Sequence, residues 1–350
     1  MIETKGFAAQ SATSPLAPFR FSRREVGDHD LLLEIAYCGI CHSDIHQVRD
    51  EWGGSLYPMV PGHEIVGRVT RAGKAVKRFK AGELAGVGCM VDSCRTCDSC
   101  KRDLEQFCQR GAAMTYNGTE MDRKTPTFGG YSSQVVVDER FALRIRPDVD
   151  LAATAPLLCA GITTYSPLRR WKTKKGDRVG VVGLGGLGHM AVKLAASMGA
   201  EVTMLSTSRA KEADARRLGA HGFALTSDPA TFKKLAGRFD LIVDTISAPH
   251  DLNQYLGMVR AEGAMVLLGA PPKPAPVHAF SLIFGNKSLG GSLIGGIAET
   301  QEMLDYCAEH RIASDVEVIP IQKVNEAWQR RLKADVKYRF AIDMASLRSE

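Results

Sequence analysis

The sequence lacks an uninterrupted apolar stretch long enough to cross a membrane. Its longest apolar region, Val179 to Ala200, is broken by several glycines and by His189 and Lys193, whereas a membrane-spanning helix needs about 20 mainly apolar residues. The first ten residues, MIETKGFAAQ, include an acidic side chain and have no apolar core of the kind found in signal peptides. We therefore expect a cytoplasmic protein that does not enter a membrane.

The sequence also lacks a basic stripe. It has 45 Lys and Arg residues against 39 Asp and Glu residues, a formal net charge of +6, and the excess is scattered along the chain. Nucleic-acid-binding proteins usually concentrate positive charge on one face, so we expect no nucleic-acid partner and, at most, a small anionic ligand. The chain has 350 residues, more than a domain with a single hydrophobic core usually contains, so its length predicts two domains.

The two parts of the chain differ in texture. The first part is punctuated by Gly and Pro and contains short β-like runs, at 31–37, 65–70 and 133–137, so it is predicted to be β-rich. From about residue 150, strand-like runs at 178–182, 201–205, 241–244 and 265–268 alternate with helical segments such as 208–218. That alternation is typical of βαβ units and predicts a parallel sheet. The segment APPKPAP (270–276) is predicted to be a loop.

Nine cysteines are many for a protein with no export signal, and clustered thiols that stay reduced indicate metal binding before disulfides. Four of them follow the spacing Cys-x2-Cys-x2-Cys-x7-Cys, at Cys94, Cys97, Cys100 and Cys108. Four thiolates at this spacing can close a tetrahedral cage around Zn²⁺, and metal would order a loop that has little apolar material of its own. An iron–sulfur cluster and four unrelated thiols are the alternatives.

A second set of metal ligands is scattered along the chain. Cys41 lies in CGICHSDIH, His63 lies in PGHEIVG, and Cys159 lies in PLLCAGITTY. Two thiolates and one imidazole would leave a fourth position open, as a catalytic zinc site needs. Taken singly, Cys159 reads as a buried inert thiol and His63 as a loop histidine, and composition alone does not select these three.

A glycine-rich turn follows the run at 178–182. Its residues Gly183, Leu184, Gly185, Gly186, Leu187 and Gly188 come directly after a β-branched run and open a helical segment. In that context the glycines allow a tight turn and close approach of a pyrophosphate, although a turn that serves packing alone is the alternative.

The end of the next strand bears on the choice of cofactor. Sites selective for NAD usually carry an acidic residue there for the ribose 2′-hydroxyl. This chain has instead Ser206, Thr207, Ser208, Arg209 and Lys211. Hydroxyls and two cations predict a site for the 2′-phosphate of NADP, unless Arg209 and Lys211 are only a solvated first turn of helix.

Together these motifs resemble the medium-chain zinc alcohol dehydrogenases, in the branch similar to cinnamyl alcohol dehydrogenase. The resemblance covers nearly the whole chain and is carried by CGICHSDIH (38–46), YPMVPGHEIVG (57–67), the four-cysteine loop, GGYSSQVVV (129–137), APLLCAGITTYSPL (155–168), VGLGGLGH (182–189), GGSLIGG (290–296) and DVKYRF (335–340). It implies an α/β protein with a GroES-like β-rich catalytic domain, 1–152 completed by 292–350, and a Rossmann dinucleotide-binding domain, 153–291.

The resemblance also implies individual roles. Cys41, His63 and Cys159 would bind the catalytic zinc and the four-cysteine loop a structural zinc, which makes two zinc ions per chain. Asp44 would orient the zinc-bound histidine, and Glu64 would be an acidic neighbour of the metal. Ser43 and His46 would form a proton relay. The remaining positions would contact the cofactor, His42 at the pyrophosphate and a second group along the nicotinamide: Thr163, Thr245, Gly269, Ser292, Leu293 and Ile294.

The implied reaction is hydride transfer between a primary alcohol, aromatic of the cinnamyl type or aliphatic, and NADP, or the reverse reduction of an aldehyde. An NAD-dependent alcohol or polyol dehydrogenase of the same superfamily is the alternative, and a polyol enzyme commonly has a carboxylate where this chain has Cys159. Trp52, Tyr57, Met90 and Met114 are candidates either for a substrate pocket or for the core. The resemblance further suggests a homo-oligomer, either a homodimer or a tetramer.

Overall fold

A computed structural model of the chain describes residues 1–271 and 273–349. Within them the β-strands are β1 Ile2–Ala8, β2 Ala17–Arg23, β3 Asp30–Ile40, β4 Ile65–Ala72, β5 Leu84–Val87, β6 Met90–Asp92, β7 Ala113–Met114, β8 Gly118–Thr119, β9 Pro126–Thr127, β10 Gln134–Asp138, β11 Leu143–Arg144, β12 Arg178–Val182, β13 Glu201–Ser206, β14 Gly222–Leu225, β15 Phe239–Asp244, β16 Val259–Leu267, β17 Ser288–Gly291, β18 Val316–Pro320 and β19 Arg339–Asp343.

The helices of the same residues are short. The α-helices are α1 His42–Val48, α2 Leu151–Thr154, α3 Ala160–Arg170, α4 Gly188–Ser197, α5 Glu212–Arg217, α6 Ala230–Lys234, α7 Leu252–Met258, α8 Phe280–Ile283, α9 Ile297–Glu309 and α10 Val324–Leu332. Single 3-10 turns lie at Cys100–Arg102, Glu105–Phe107, Ala155–Leu158, Arg209–Lys211, Ile321–Lys323 and Met344–Ser349.

The chain forms two compact units. The catalytic unit comprises Met1–Cys159 and Gly295–Glu350, and the nucleotide unit comprises Ala160–Ile294. The bounds drawn from the sequence, 1–152 with 292–350 and 153–291, differ from these by seven residues at the first junction and three at the second. The first difference has a local cause, because α2 is tied to the catalytic unit by a hydrogen bond from the Ser314 N–H to the Ala153 carbonyl, 3.1 Å long.

The catalytic unit is built around one long strand. In its seven-stranded sheet, β3 pairs on one side with β4 and on the other with β10 along its first half and with β19 along its second. Leu31, Leu33 and Ile35 alternate along β3 and are buried, as expected for a strand with one face toward a core. The strand ends at Ile40, so the residues that follow, beginning with Cys41, start at the edge of this sheet.

The nucleotide unit contains a six-stranded, fully parallel sheet in the order β14-β13-β12-β15-β16-β17. Val179, Val181 and Val182 of β12 are completely buried, which fits a strand covered on both faces. The chain leaves β12 in one direction toward β13 and β14 and later returns on the other side at β15. The order therefore reverses at β12, and the carboxyl ends of β12 and β15 mark the place where such sheets bind ligands.

The structure confirms the α/β fold with a β-rich catalytic part and a parallel-sheet nucleotide part. The run at 178–182 coincides with β12, whereas the helix expected at 208–218 is divided into a 3-10 turn and α5. In the predicted loop 270–276, Pro272 lies outside the described residues, and the other six are neither helix nor strand. Among the described residues no single helix is long and apolar enough to span a membrane; the consecutive segments Leu151–Leu158 and Ala160–Arg170 pass that test only when taken together.

Candidate functional site

The scattered ligand set predicted from the sequence comes together in the catalytic unit. The ligand atoms of Cys41, His63, Glu64 and Cys159 all lie within 4.8 Å of one another, and all four residues are buried. The sulfurs of Cys41 and Cys159 are 3.8 Å apart. Two thiolates on a tetrahedral zinc, with bonds of about 2.3 Å, lie about 3.8 Å apart, so the spacing of the sulfurs fits that metal.

The electrostatics of the two thiols also favour a cation. The hydrogen bond from Cys159 lowers the pKa of Cys41 well below its ordinary value, and His63 and Arg339 act in the same direction. These contacts favour the thiolate of Cys41, while the same contact with Cys41 raises the pKa of Cys159. A thiolate in this buried place is a charge that a divalent cation neutralises.

Asp44 organises this site from within α1. Its carboxylate is fully buried and accepts four hydrogen bonds: from the Cys41 N–H at 2.8 Å, the Gly62 N–H at 3.1 Å, His63 Nδ1 at 3.2 Å and the Tyr131 hydroxyl at 3.2 Å. Because Nδ1 of His63 is engaged with Asp44, Nε2 is the nitrogen left for a metal. This is the arrangement in which a carboxylate fixes the tautomer and orientation of a metal-binding histidine.

Glu64 forms a second buried contact at the site. Its Oε1 accepts from the guanidinium of Arg339, and both side chains are almost completely inaccessible. Oε2 of Glu64 is buried and has no hydrogen-bond partner among the described residues. Burial raises the pKa of Glu64 to about 7, against the opposing charge of Arg339. A buried acceptor next to the thiols is a further feature that suits a cation at this place.

Two residues of this site were missed in the sequence. Arg339 was noted only as part of the segment DVKYRF, and it is separated from Glu64 by 275 positions. Cys89 follows β5, and its thiol is hydrogen-bonded to that of Cys159. No motif or spacing marks either residue, because each reaches the site through the fold rather than through neighbours in the chain.

The histidines of α1 form a stack. The rings of His42 and His46 are 4.6 Å apart between centroids, and His46 and Trp52 are 4.8 Å apart. His46 Nδ1 is hydrogen-bonded to the carboxylate of Glu51, which leaves Nε2 of His46 available for a proton. Burial lowers the pKa of His42 to about 4, so this ring is neutral near pH 7. Ser43 places its hydroxyl 3.5 Å from the sulfur of Cys41.

The four cysteines of the regular motif also converge. The ligand atoms of Cys94, Cys97, Cys100 and Cys108 lie within 4.8 Å of one another. The sulfur of Cys100 is 3.9 Å from that of Cys94 and 3.5 Å from that of Cys97, again close to the spacing around a tetrahedral zinc. With all four positions occupied by protein, the cage has no place for substrate, so its role is structural.

Backbone N–H groups of the loop donate to these sulfurs. The N–H of Cys97 lies 3.4 Å from the sulfur of Cys94, and the N–H of Gln109 lies 3.4 Å from the sulfur of Cys97. Backbone N–H groups of Thr96 and Cys97 lower the pKa of Cys94 to about 5. The loop thus favours the thiolate form of Cys94, which is the form that a metal requires, whereas burial raises the pKa of Cys100 to about 12.

The glycine-rich turn of the nucleotide unit connects β12 to α4. Gly183 has a φ of +86°, a region that favours glycine. A Cβ on Gly188 would lie 1.9 Å from the Gly183 carbonyl oxygen, whereas one on Gly185 would meet nothing within 4 Å. Gly188 is therefore required by the tightness of the turn itself, and Gly185 leaves its backbone open to a ligand at the start of α4.

The last residue of β13 and the residues that follow it lie at the same edge of the sheet. Ser206 is buried, and its hydroxyl accepts from the Ser208 N–H at 3.2 Å, while Thr207 and Ser208 are exposed. Nζ of Lys211 lies 2.9 Å from the Leu184 carbonyl in the glycine-rich turn. Arg209 is more exposed and pairs with Glu212. The two predicted cations therefore differ: Lys211 contacts the turn and Arg209 lies on its solvent side.

The other predicted cofactor residues fall in two places. Thr163, in α3, and Thr245, Gly269, Ser292, Leu293 and Ile294 belong to the nucleotide unit, and His42 belongs to the catalytic unit. Thr245 donates from its hydroxyl to the carbonyls of Val182 and Gly183, at 2.7 and 3.2 Å, so it contacts the glycine-rich turn directly. A Cβ on Gly269 would lie 2.0 Å from the Ile246 carbonyl oxygen. Gly269 therefore packs closely against the residue that follows Thr245.

Comparison with known proteins agrees with the assignments made in each unit. Residues 27–147 match the model for the alcohol dehydrogenase GroES-like domain, and residues 186–309 match that for zinc-binding dehydrogenases. The chain is 56% identical, over the full length of both proteins, to NADP-dependent alcohol dehydrogenase C 1 of Mycolicibacterium smegmatis.

Two solved structures are similar throughout. One is a cinnamyl alcohol dehydrogenase from Sorghum bicolor, with a TM-score of 0.95, 44% identity and 98% of each chain covered. The other is the CAD from Helicobacter pylori complexed with NADP(H), with a TM-score of 0.92, 44% identity, and 98% of this chain and 99% of that one covered. This chain therefore belongs to the medium-chain zinc-binding alcohol dehydrogenases, in the branch that includes cinnamyl alcohol dehydrogenase.

Proposed function

We propose that the protein is a zinc- and NADP-dependent alcohol dehydrogenase that also reduces the corresponding aldehydes. The observation that carries this function is the buried group of Cys41, His63 and Cys159, held by Asp44 in a geometry that fits a zinc ion. The family match and the name of the Mycolicibacterium smegmatis relative, an NADP-dependent alcohol dehydrogenase, support the same reaction.

The residues divide the work of the reaction. When bound, zinc would polarise the alcohol oxygen and lower its pKa, and NADP would accept the hydride. Asp44 keeps Nε2 of His63 directed at the metal position through its bond to Nδ1. Ser43 holds a hydroxyl beside Cys41, where it can take the alcohol proton. His46, oriented by Glu51 through Nδ1, provides Nε2 as the proton acceptor farther along.

The preference for NADP over NAD is supported by the chemistry at the end of β13. No acidic side chain is present at Ser206, Thr207 or Ser208, so nothing there repels a 2′-phosphate. Lys211 lies against the glycine-rich turn, and the Arg209 side chain is exposed to solvent, where it can exchange Glu212 for a phosphate. Hydroxyls and cations of this kind recognise phosphate through charge-assisted hydrogen bonds.

An aromatic substrate is supported by the exposure of two of the four candidate side chains. Trp52 is half exposed and stacks on His46, and Met114 is likewise exposed. Tyr57 uses its hydroxyl to bond the Val48 carbonyl at 2.7 Å, and Met90 is buried in the core. Of the four candidates, Trp52 and Met114 are thus the two whose exposed side chains can contact an aromatic alcohol or aldehyde.

A homodimer is supported by an exposed apolar surface in the nucleotide unit. Phe280, Ile283 and Phe284, here called the α8 patch, are all more than half exposed, and Phe280 stacks on Phe284. The strand that follows, β17, is the last of its sheet and pairs with β16 alone among the described strands. An open strand edge beside an apolar patch is the kind of surface that a second copy of the chain covers by two-fold symmetry.

Sedimentation of Phe284→Glu should show monomer where the parent is dimeric.

The cytoplasmic location is supported by the state of the thiols. All nine cysteines are free in the structure, and thiols of this number persist in a reducing compartment.

The function is tested by combining metal analysis with turnover. Purified enzyme should contain about two zinc ions per chain, as the two ligand sets require, and should oxidise NADPH with a panel of aromatic and aliphatic aldehydes. One zinc ion per chain, iron–sulfur absorbance, or no turnover with any aldehyde would each reject the proposal.

A further inference from the structure

A histidine outside the metal site lies on the loop that contacts the glycine-rich turn. The loop runs from 245 to 251, between the end of β15 and the start of α7. His250 places Nε2 2.8 Å from the Oδ2 of Asp244 and Nδ1 2.8 Å from the carbonyl oxygen of Ala248. Both ring nitrogens therefore face an oxygen atom at hydrogen-bond distance.

This geometry favours a ring that is protonated on both nitrogens. A carbonyl oxygen can only accept, so Nδ1 of His250 must carry a proton. Nε2 faces a carboxylate, which also accepts, through its other oxygen, the N–H of Ile246 at 3.0 Å. A proton on each nitrogen makes the ring an imidazolium, which suits Asp244 as a counter-charge because the Asp244 side chain is only 2% exposed. A buried carboxylate needs such a partner.

The loop closed by this pair supports the turn. Asp244 is opposite Val182 in the sheet, and Thr245, the next residue, donates its hydroxyl to the Val182 and Gly183 carbonyls. Ile246 lies against Gly183, where an added Cβ would be 3.0 Å from the Ile246 side chain. The bond between His250 and Asp244 spans this segment and ties its two ends together.

We propose that His250 is a positioning residue for the dinucleotide: as an imidazolium bound to Asp244 it holds Thr245 and Ile246 against the glycine-rich turn, and NADPH affinity falls when the ring loses its proton. This inference rests on the proposed cofactor site. It adds to that site a residue that acts without touching the cofactor. It also predicts that NADPH affinity depends on pH, an effect that the phosphate-binding residues do not produce.

The sign of the pH dependence follows from the groups around the ring. The hydrogen bond to Asp244 raises the pKa of His250 above its ordinary value, with the Ala248 carbonyl and Asp251 acting in the same direction and burial opposing them. Tyr255 of α7 presents its ring edge-on to the imidazole, with the centroids 5.5 Å apart. Because the pKa is raised, the contact is complete below about pH 6.5, the ordinary histidine value, and is lost as the pH rises through the raised pKa.

The test measures NADPH dissociation constants by fluorescence between about pH 6.8 and pH 9, above the titration of the 2′-phosphate near pH 6. In the parent the constant should rise with pH by at least about fivefold, the lower end of usual coupling strengths. His250→Gln should bind weakly at the low end of this range and lose most of the rise. His250→Arg keeps a cation that does not titrate here and should bind with little pH dependence. His278→Gln, at an exposed histidine of the same unit, should behave as the parent.

NADH should show the same rise in the parent, because the effect does not involve the 2′-phosphate. A parent that binds NADPH but gives the same pH curve as His250→Gln overturns the inference and leaves the proposed function intact. A parent that binds neither dinucleotide rejects the proposed function instead.

A spectroscopic measurement on the parent protein tests the inference even if the variants do not fold. In ¹⁵N-histidine spectra, His250 should have both ring nitrogens protonated near neutral pH. A neutral ring with a bare Nε2 under those conditions would also overturn the inference.

Discussion

Arg339 and Glu64 form an ion pair inside the catalytic unit, with side chains that are 1% and 0% exposed. Because neither charge reaches solvent, each is neutralised by the other. The pair is also close to the thiols of Cys41 and Cys159. Removal of one partner leaves an uncompensated buried charge, whereas removal of both does not.

We expect Arg339→Met to lower the free energy of unfolding by about 3–5 kcal/mol, the usual cost of stranding one member of a buried pair. The double variant Glu64→Gln/Arg339→Met should recover much of that loss. Arg330→Met is the matched control, because Arg330 pairs with Glu317 at the surface, where such pairs contribute about 1 kcal/mol or less. Urea unfolding of the four proteins compares them, and equal losses at Arg339 and Arg330 would contradict the importance of burial.

Cys159→Ala should remove one metal ion from the catalytic unit and abolish turnover, since the third ligand is lost while the four-cysteine cage is untouched. Metal analysis should fall from about two zinc ions per chain to about one. Cys307→Ala is the control, because Cys307 is an equally buried thiol whose sulfur lies 3.6 Å from that of Met303 in α9. Retention of two zinc ions in Cys159→Ala would refute the assignment of this ligand.

His46→Gln should slow alcohol oxidation most at low pH, where hydroxide cannot replace the missing base. A general base contributes about 10²–10⁴-fold, and a base that acts through a relay should lie at the lower end. Glu51→Gln should give a smaller loss in the same direction, because the ring keeps its nitrogen but loses the carboxylate that orients it. His29→Gln, on the exposed side of the same unit, should leave the pH profile of kcat/KM unchanged. A parental profile in His46→Gln would remove this residue from the relay.

Ser206→Asp should reverse the choice of cofactor. The carboxylate can still accept the Ser208 N–H, but it repels the 2′-phosphate and accepts from a ribose hydroxyl. The parent should favour NADPH over NADH at least tenfold in kcat/KM, which corresponds to about 1.4 kcal/mol. Ser206→Asn, of the same size and without charge, should retain most of that preference. If the parent uses NADH as well as NADPH, the residues after β13 do not select the phosphate.

Local patterns in the sequence predicted the parts of the site that are local in the chain. The four-cysteine cage lies within fifteen residues, and the glycine-rich turn follows its strand directly, so spacing alone indicated their chemistry. Cys41, His63 and Cys159 required the family resemblance, because no spacing relates positions so far apart.

Contacts made only by the fold stayed invisible. Tyr131 reaches Asp44 across 87 positions, and Cys89 reaches Cys159 across 70. The predicted helix 208–218 also makes a contact of this kind, since Lys211, in its 3-10 first turn, donates to the Leu184 carbonyl of the glycine-rich turn. Tertiary contacts of this kind override local propensity.

The pairing of β19 with the second half of β3 has a consequence for the order in which the protein matures. β3 is made early, but its partner for residues 37–40 is the segment 340–343, and β19 also carries Arg339. The nucleotide unit is continuous in the chain, so it can complete its sheet during synthesis before β19 has been made. The sheet of the catalytic unit is still incomplete at that stage. Glu64 therefore remains without its counter-charge until residue 339 has been synthesised, so the buried ion pair beside the catalytic metal position forms only after Cys41, His63 and Cys159 have all been made.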